Sequence, residues 1–231
     1  MPMSTLVLFD FDGTLADTAP DLAAAANQQR TARGLPPLPY ETLRPVASQG
    51  ARGLLRVALG LAPEDVEYPD VRDRFLQDYA AGMDAQSRLF PGVPELLATL
   101  EQHGLAWGIV TNKVAWLAEP LIARLGLAPA VTVCGDTTPH PKPHPAPLQH
   151  AARQAGFAPE ACLYIGDDLR DIRAGKAAGM PTLAAAWGYC GDAAPVHTWQ
   201  ADAVIDSPEQ AWPAIRSLCA GLPTRQAPAG S

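Results

Sequence analysis

Six short apolar runs constrain how this chain can fold: Leu6–Phe9, Ala106–Val110, Ala130–Val133, Cys162–Ile165, Thr182–Ala185 and Ala203–Ile205. Each has the length of a buried strand and is short for a buried helix. Most are separated by longer segments whose apolar residues recur at helical spacing. Pro94–Gln102 runs to Gly104, Val114–Leu125 to Gly126, Pro147–Gln154 to near Gly156, and Leu169–Ala178 to Gly179. Glycine thus stands where a helix end favours a left-handed residue. Alternation of this kind predicts an α/β fold, a Rossmann-like doubly wound parallel sheet with helices on both faces.

Residues 17–88 break the rhythm. They contain no convincing strand, and Asp21–Arg33, Ala51–Leu59 and Glu64–Met83 read as helices. A chain of 231 residues has room for one sizeable core with such an insertion. The expected organisation is a core of residues 1–16 and 89–220, an α-helical cap of residues 17–88, and a disordered tail of residues 221–231. The cap follows the first strand's carboxyl end, over the crevice where open α/β sheets bind ligands, and is placed to act as a lid.

The polar residues after each run carry the chemistry. The first run gives Asp10 and Asp12, then Gly13. The second gives Thr111 and Asn112, with Lys113 opening a helix. The third leads through Gly135 and Asp136 into TTPHPKPHPAP, which holds Lys142. The fourth gives Gly166, Asp167, Asp168 and, one turn on, Asp171. Carboxylates crowded at one sheet edge resist joint ionisation unless a cation sits among them. A hard divalent ion with oxygen ligands, Mg²⁺, meets that need and takes a phosphate oxygen as well. Lys142, Thr111 and the turn N–H groups after Asp12 could hold the other phosphate oxygens. The set reads as phosphoryl transfer, with a carboxylate attacking and a second one managing the proton. Residues i and i+2 of a strand share a face, which would bring Asp10 and Asp12 to the same side.

Taken singly, each group has an ordinary explanation. Asp-x-Asp can be a solvated turn, GDD a helix N-cap, Thr111-Asn112 another cap, and Lys142 an exposed loop residue. Their appearance in order after successive strands is harder to dismiss. His140 and His144 are spaced as metal ligands on a helix would be, but the intervening prolines exclude that helix. Trp107, Trp116, Trp187 and Tyr164 read as core residues.

The formal net charge is −7 and no Lys/Arg run occurs, so a nucleic-acid partner is not expected. No stretch is apolar enough for a membrane span, and no signal peptide is apparent. Cys134, Cys162, Cys190 and Cys219 form no C-x-x-C pair, which fits a reduced, cytoplasmic setting.

DFDGTLADT, IVTNK, the Lys142-Pro143-x-Pro145 loop and YIGDDLRD resemble the four ordered motifs of the haloacid dehalogenase-like hydrolases. The helical insertion resembles the cap of the phosphoglycolate phosphatase and β-phosphoglucomutase branch. The resemblance implies that Asp10 is the nucleophile and forms an aspartyl-phosphate. It implies that Asp12 is the general acid/base and gives Mg²⁺ its main-chain carbonyl, with Asp10 and Asp167 as metal carboxylates. Thr111 and Lys142 would bind phosphoryl oxygens, with Asn112 beside them. Asp168 or Asp171 would support the metal's waters, although many relatives carry Ser or Thr in place of Asp168. The implied activity is hydrolysis of a small phosphate monoester, led by phosphoglycolate. RGLPPLP, SQGARGLL and GDDLRDI also resemble a sub-branch that includes N-acetylmuramic acid 6-phosphate phosphatases. A phosphomutase would share every core motif. Both candidate substrates carry a carboxylate, which Arg52 in the cap could meet. The expected state is monomer or homodimer.

Overall fold

The structure, a computed structural model, describes residues 5–191 and 194–222. The chain opens with β1 (Leu6–Phe9) and a short β2 (Ala16–Asp17). Four helices follow: α1 (Ala19–Thr31), α2 (Tyr40–Leu43), α3 (Gly50–Leu59) and α4 (Tyr68–Gly82). After β3 (Arg88–Leu89) come α5 (Val93–Gln102), β4 (Ala106–Val110), α6 (Ala115–Arg124), β5 (Thr132–Val133) and α7 (Ala146–Gln154). The rest is β6 (Cys162–Gly166), α8 (Leu169–Ala177), β7 (Thr182–Ala185), β8 (Ala203–Ile205) and α9 (Ala211–Cys219).

The main sheet has six strands in the order β5-β4-β1-β6-β7-β8, and every pairing is parallel. The order reverses direction beside β1, which therefore occupies the switch point. Side chains alternate across the sheet. Val7 and Phe9 face one side with Ile109, Leu163 and Ile165, while Leu6 and Leu8 face the other with Val110, Cys162 and Tyr164. Both faces are covered along β1, β4, β6 and β7, which is why these strands read as unbroken apolar runs, whereas edge strand β8 leaves Val204 exposed. The first cluster continues into the helical insertion through Leu22, Leu54, Leu55 and Phe75. Each such side chain contributes roughly 1.5–3 kcal/mol by leaving water.

Several local differences from the sequence reading have clear causes. The helix expected over Glu64–Met83 starts at Tyr68. Asp65 Oδ2 accepts the Ala62 N–H at 2.7 Å and holds a turn there, and Pro69 then disfavours helix before it. The run Ala130–Val133 contributes only Thr132–Val133 as an edge strand. β2 and β3 pair antiparallel, Ala16 with Leu89 and Asp17 with Arg88, where the chain leaves and re-enters the sheet unit. Two residues are too few to show a period. Trp116, expected in the core, is 52% exposed, and Trp187 is half-buried with its indole N–H donated to Thr14 O. Most of the expected tail, from residue 223 on, lies outside the described residues.

Candidate active site

β1 runs directly into the first acidic stretch. Asp10 N–H still donates to Ile165 O at 2.8 Å, so Asp10 is fixed by the neighbouring strand although it lies past the end of β1. Phe11 O then accepts the N–H groups of Thr14, Leu15 and Ala16. This tight turn, rather than a continuing strand, brings both Asp10 and Asp12 to one cavity. Gly13 sits in the turn at φ +87°, and a Cβ there would stand 2.2 Å from Asp167 Oδ2. Only glycine meets both demands.

Lys142 comes from the Pro-rich loop after β5, and its side chain is 2% exposed. Its ammonium lies 2.8 Å from Asp10 Oδ1 and 2.8 Å from Asp171 Oδ1. It also donates to Val110 O at 2.9 Å and to Tyr164 Oη at 2.8 Å. Burial works against its charge, but Asp10 and Asp171 outweigh that and raise its pKa. Asn112 fastens the loop reciprocally. Its amide nitrogen donates to Lys142 O, and its amide oxygen accepts Lys142 N–H, both at 2.9 Å. Thr111 is buried beside it, and its hydroxyl oxygen accepts Lys113 N–H at 3.0 Å.

Asp12 has a cation that the sequence reading did not assign to it. Lys113 Nζ lies 2.8 Å from Asp12 Oδ1, and both side chains are largely buried. Thr18 Oγ1 donates to the same oxygen at 2.5 Å. On its other side Lys113 Nζ stands 4.6 Å from the centre of the Tyr79 ring, which belongs to the insertion. The available signal was the position of Lys113, at the end of the same strand as Thr111.

Asp10, Asp167 and Asp171 offer carboxylate oxygens that all lie within 4.8 Å of one another, and all three are buried. Burial, with Asp171 and Asp12 adding to it against Lys142, pushes Asp10 up to about 7. Burial, then Asp10 and Asp171, hold Asp167 well above its ordinary value, despite hydrogen bonds from Tyr189 N–H at 2.9 Å and Thr14 Oγ1 at 3.0 Å. Lys142 alone does not balance this cluster. An all-oxygen donor set in that condition fits a hard divalent cation.

Asp168 stands apart from the cluster. It caps α8, with its side chain accepting Arg170 N–H while Asp171 reaches back to the Asp168 N–H. The Arg170 guanidinium grips it by two bonds of 2.9 Å. Burial opposes the charge of Asp168, but Arg170 prevails and holds its pKa below the usual value.

A cavity of about 270 Å³ lies over this edge. Asp10, Asp12, Thr111 and Lys142 line it from the sheet side. Exposed Arg52, with Tyr68, Arg72 and Phe75, lines it from the insertion. The His140 and His144 rings stand tilted to one another with centres 4.6 Å apart in an exposed stretch of the loop, and neither lines the cavity.

A parallel sheet that gathers acids, a hydroxyl and an ammonium at its switch point is built to handle a small anion beside a cation. The chain belongs to the haloacid dehalogenase-like hydrolases, whose family model matches residues 7–185. Within that family it stands with phosphatases. It is 47% identical to a phosphoglycolate phosphatase of Xanthomonas campestris pv. campestris, covering 89% of this chain and 94% of that one. It is 45% identical to an N-acetylmuramic acid 6-phosphate phosphatase of Pseudomonas aeruginosa, covering 92% and 96%. A crystal structure of a predicted phosphoglycolate phosphatase from Haemophilus somnus superposes with a TM-score of 0.80 at 27% identity, covering 93% and 99%. No helix among the described residues is long and apolar enough to cross a membrane.

Proposed function

We propose that the chain is a Mg²⁺-dependent phosphatase that hydrolyses a small phosphate monoester through an aspartyl-phosphate on Asp10. The observation that carries this is the setting of Asp10. One oxygen accepts from Lys142 and from Phe11 N–H at 2.7 Å, and the residue opens onto the cavity between two further buried acids.

Asp10 attacks phosphorus with its other oxygen, and the ester P–O bond breaks. The leaving alkoxide takes a proton from Asp12, which lines the same cavity. In the second half Asp12 takes a proton from water as that water attacks phosphorus. The P–O bond to Asp10 breaks, which releases orthophosphate and restores both acids. Lys142 and Thr111 hold phosphoryl oxygens throughout. Asn112 serves by fixing the loop that carries Lys142. The carboxylates of Asp10 and Asp167 would hold Mg²⁺, with Asp171 beside them and the Asp12 main-chain carbonyl as a further ligand. The ion supplies neutralising charge for these acids and the phosphate. In this scheme residues 17–88 act as a cap over residues 1–16 and 89–220.

The leading substrate is phosphoglycolate, supported by the similarity to the Xanthomonas enzyme. N-acetylmuramic acid 6-phosphate is the second reading, supported by nearly equal similarity to the Pseudomonas enzyme. Four free thiols fit a cytoplasmic setting. Phosphate release from both esters and from simple sugar phosphates, compared by kcat/KM, tests the assignment. A sugar phosphate isomerised without phosphate release would replace it with a mutase.

A further inference from the structure

We propose that Arg170, held in a fork by Asp168, is a positioning residue that seats the insertion's turn Arg44–Gln49 on the sheet edge and so fixes the wall that carries Arg52. The effect on turnover rests on the phosphatase reading, whereas the seating itself does not.

The fork is built in advance. Arg170 Nε donates to Asp168 Oδ1 and Nη2 to Asp168 Oδ2, each at 2.9 Å. A planar guanidinium matched to a carboxylate loses little freedom when it makes a further bond. Nη2 makes that bond across the chain, donating to Ser48 O at 2.7 Å. Ser48 lies in the short 3₁₀ helix Arg44–Gln49 of the insertion. Because the acceptor is a backbone oxygen, Arg170 grips the path of the turn and not a particular side chain.

Two weaker contacts flank the grip. Ser48 Oγ donates to Asp167 Oδ2 at 3.4 Å, and Arg44 Nη2 donates to Gly188 O at 3.1 Å. The turn is thus pinned beside the acidic cluster at one side and on the loop after β7 at the other. It runs directly into Gly50, at φ +58°, and α3. Arg52 is the third residue of that helix and lines the cavity. On the sheet side, Asp168 is tied to the cluster itself, since its N–H donates to Asp171 Oδ2 at 3.0 Å. One short path therefore links the cluster, the fork and the wall over the substrate. It also accounts for an acid at position 168 that takes no place in the acidic cluster.

Hydrogen exchange of Arg170→Ala and of the milder Arg170→Lys, each without substrate, tests the seating. Amides of residues 44–52 should exchange at least tenfold faster in Arg170→Ala, less so in Arg170→Lys, with β1 unchanged. Unchanged exchange at 44–52 would overturn the proposal. In kinetics, Arg170→Ala should lower kcat/KM at least tenfold on the best ester, with partial recovery in Arg170→Lys. The double variant Arg52→Ala/Arg170→Ala should be within twofold of Arg170→Ala. Wild-type turnover by Arg170→Ala, or losses that simply multiply in the double variant, would overturn the link to catalysis. Failure of the wild type on every phosphate ester would instead refute the functional reading, and the exchange result would still decide the seating.

Discussion

Lys142 Nζ lies 2.8 Å from Asp10 Oδ1, joining the loop after β5 to the turn after β1 across the intervening strand β4. The same ammonium lies 2.8 Å from Asp171, so one buried cation serves two buried acids. Removing it strands both. Lys142→Met should destabilise the metal-free protein at pH 7 by about 3–5 kcal/mol. Thermal melts should show a smaller loss at pH 5, where Asp10 can take a proton. An equal loss at both pH values would mean that the pair is not what Lys142 supports.

Burial raises Asp10 from 3.8 to about 7, and Asp167 moves in the same direction. The folded state therefore holds these protons more tightly than the unfolded chain does. That contribution favours folding below about pH 4 and is lost as pH rises through 7. Metal-free protein should lose stability over this window, and Mg²⁺ should raise Tm more at pH 8 than at pH 5. Equal Mg²⁺ effects at the two pH values would argue against binding at these acids.

Lys113 is the buried cation at Asp12, 2.8 Å away. Lys113→Met should lower kcat roughly 10- to 100-fold by leaving Asp12 misplaced for proton transfer, less than the roughly 100- to 10,000-fold that complete loss of such transfer costs. Single-turnover kinetics should locate the loss in chemistry. A change confined to KM would move Lys113 from proton management to substrate binding.

Arg52 overhangs the cavity as an exposed cation from α3. Arg52→Ala should raise KM about 10-fold for carboxylated esters, by loss of a charge-assisted bond, and less for esters without a carboxylate. Steady-state kinetics on a matched pair would decide this. Equal effects on both would remove Arg52 from substrate recognition.

The strands were legible because both faces of the sheet are buried, so Leu6–Phe9 and Ala106–Val110 appear as plain apolar runs. The polar groups after those runs were legible because a parallel sheet puts its strand ends on one edge. Other features turn on side-chain direction, which periodicity does not carry. Asp168 looks like another cluster acid, yet the helix cap turns it towards Arg170. Lys113 looks like a helix opener until Asp12 is seen to need a cation. Tyr164 reads as core and is fully buried, but its hydroxyl lies 2.8 Å from Lys142 Nζ inside the polar network. The β2–β3 ribbon is too short for any pattern to reveal.

In the proposed reaction Asp10 carries the phosphoryl group between the two half-reactions. Wild-type enzyme should be mixed with its best ester, quenched in acid within one turnover and reduced with borohydride, which converts an acyl phosphate to the alcohol. Peptide mass spectrometry should then find homoserine at position 10, dependent on substrate and absent in Asp10→Asn. Homoserine at another aspartate, or no reduced residue in enzyme caught while turning over, would exclude Asp10 as the nucleophile.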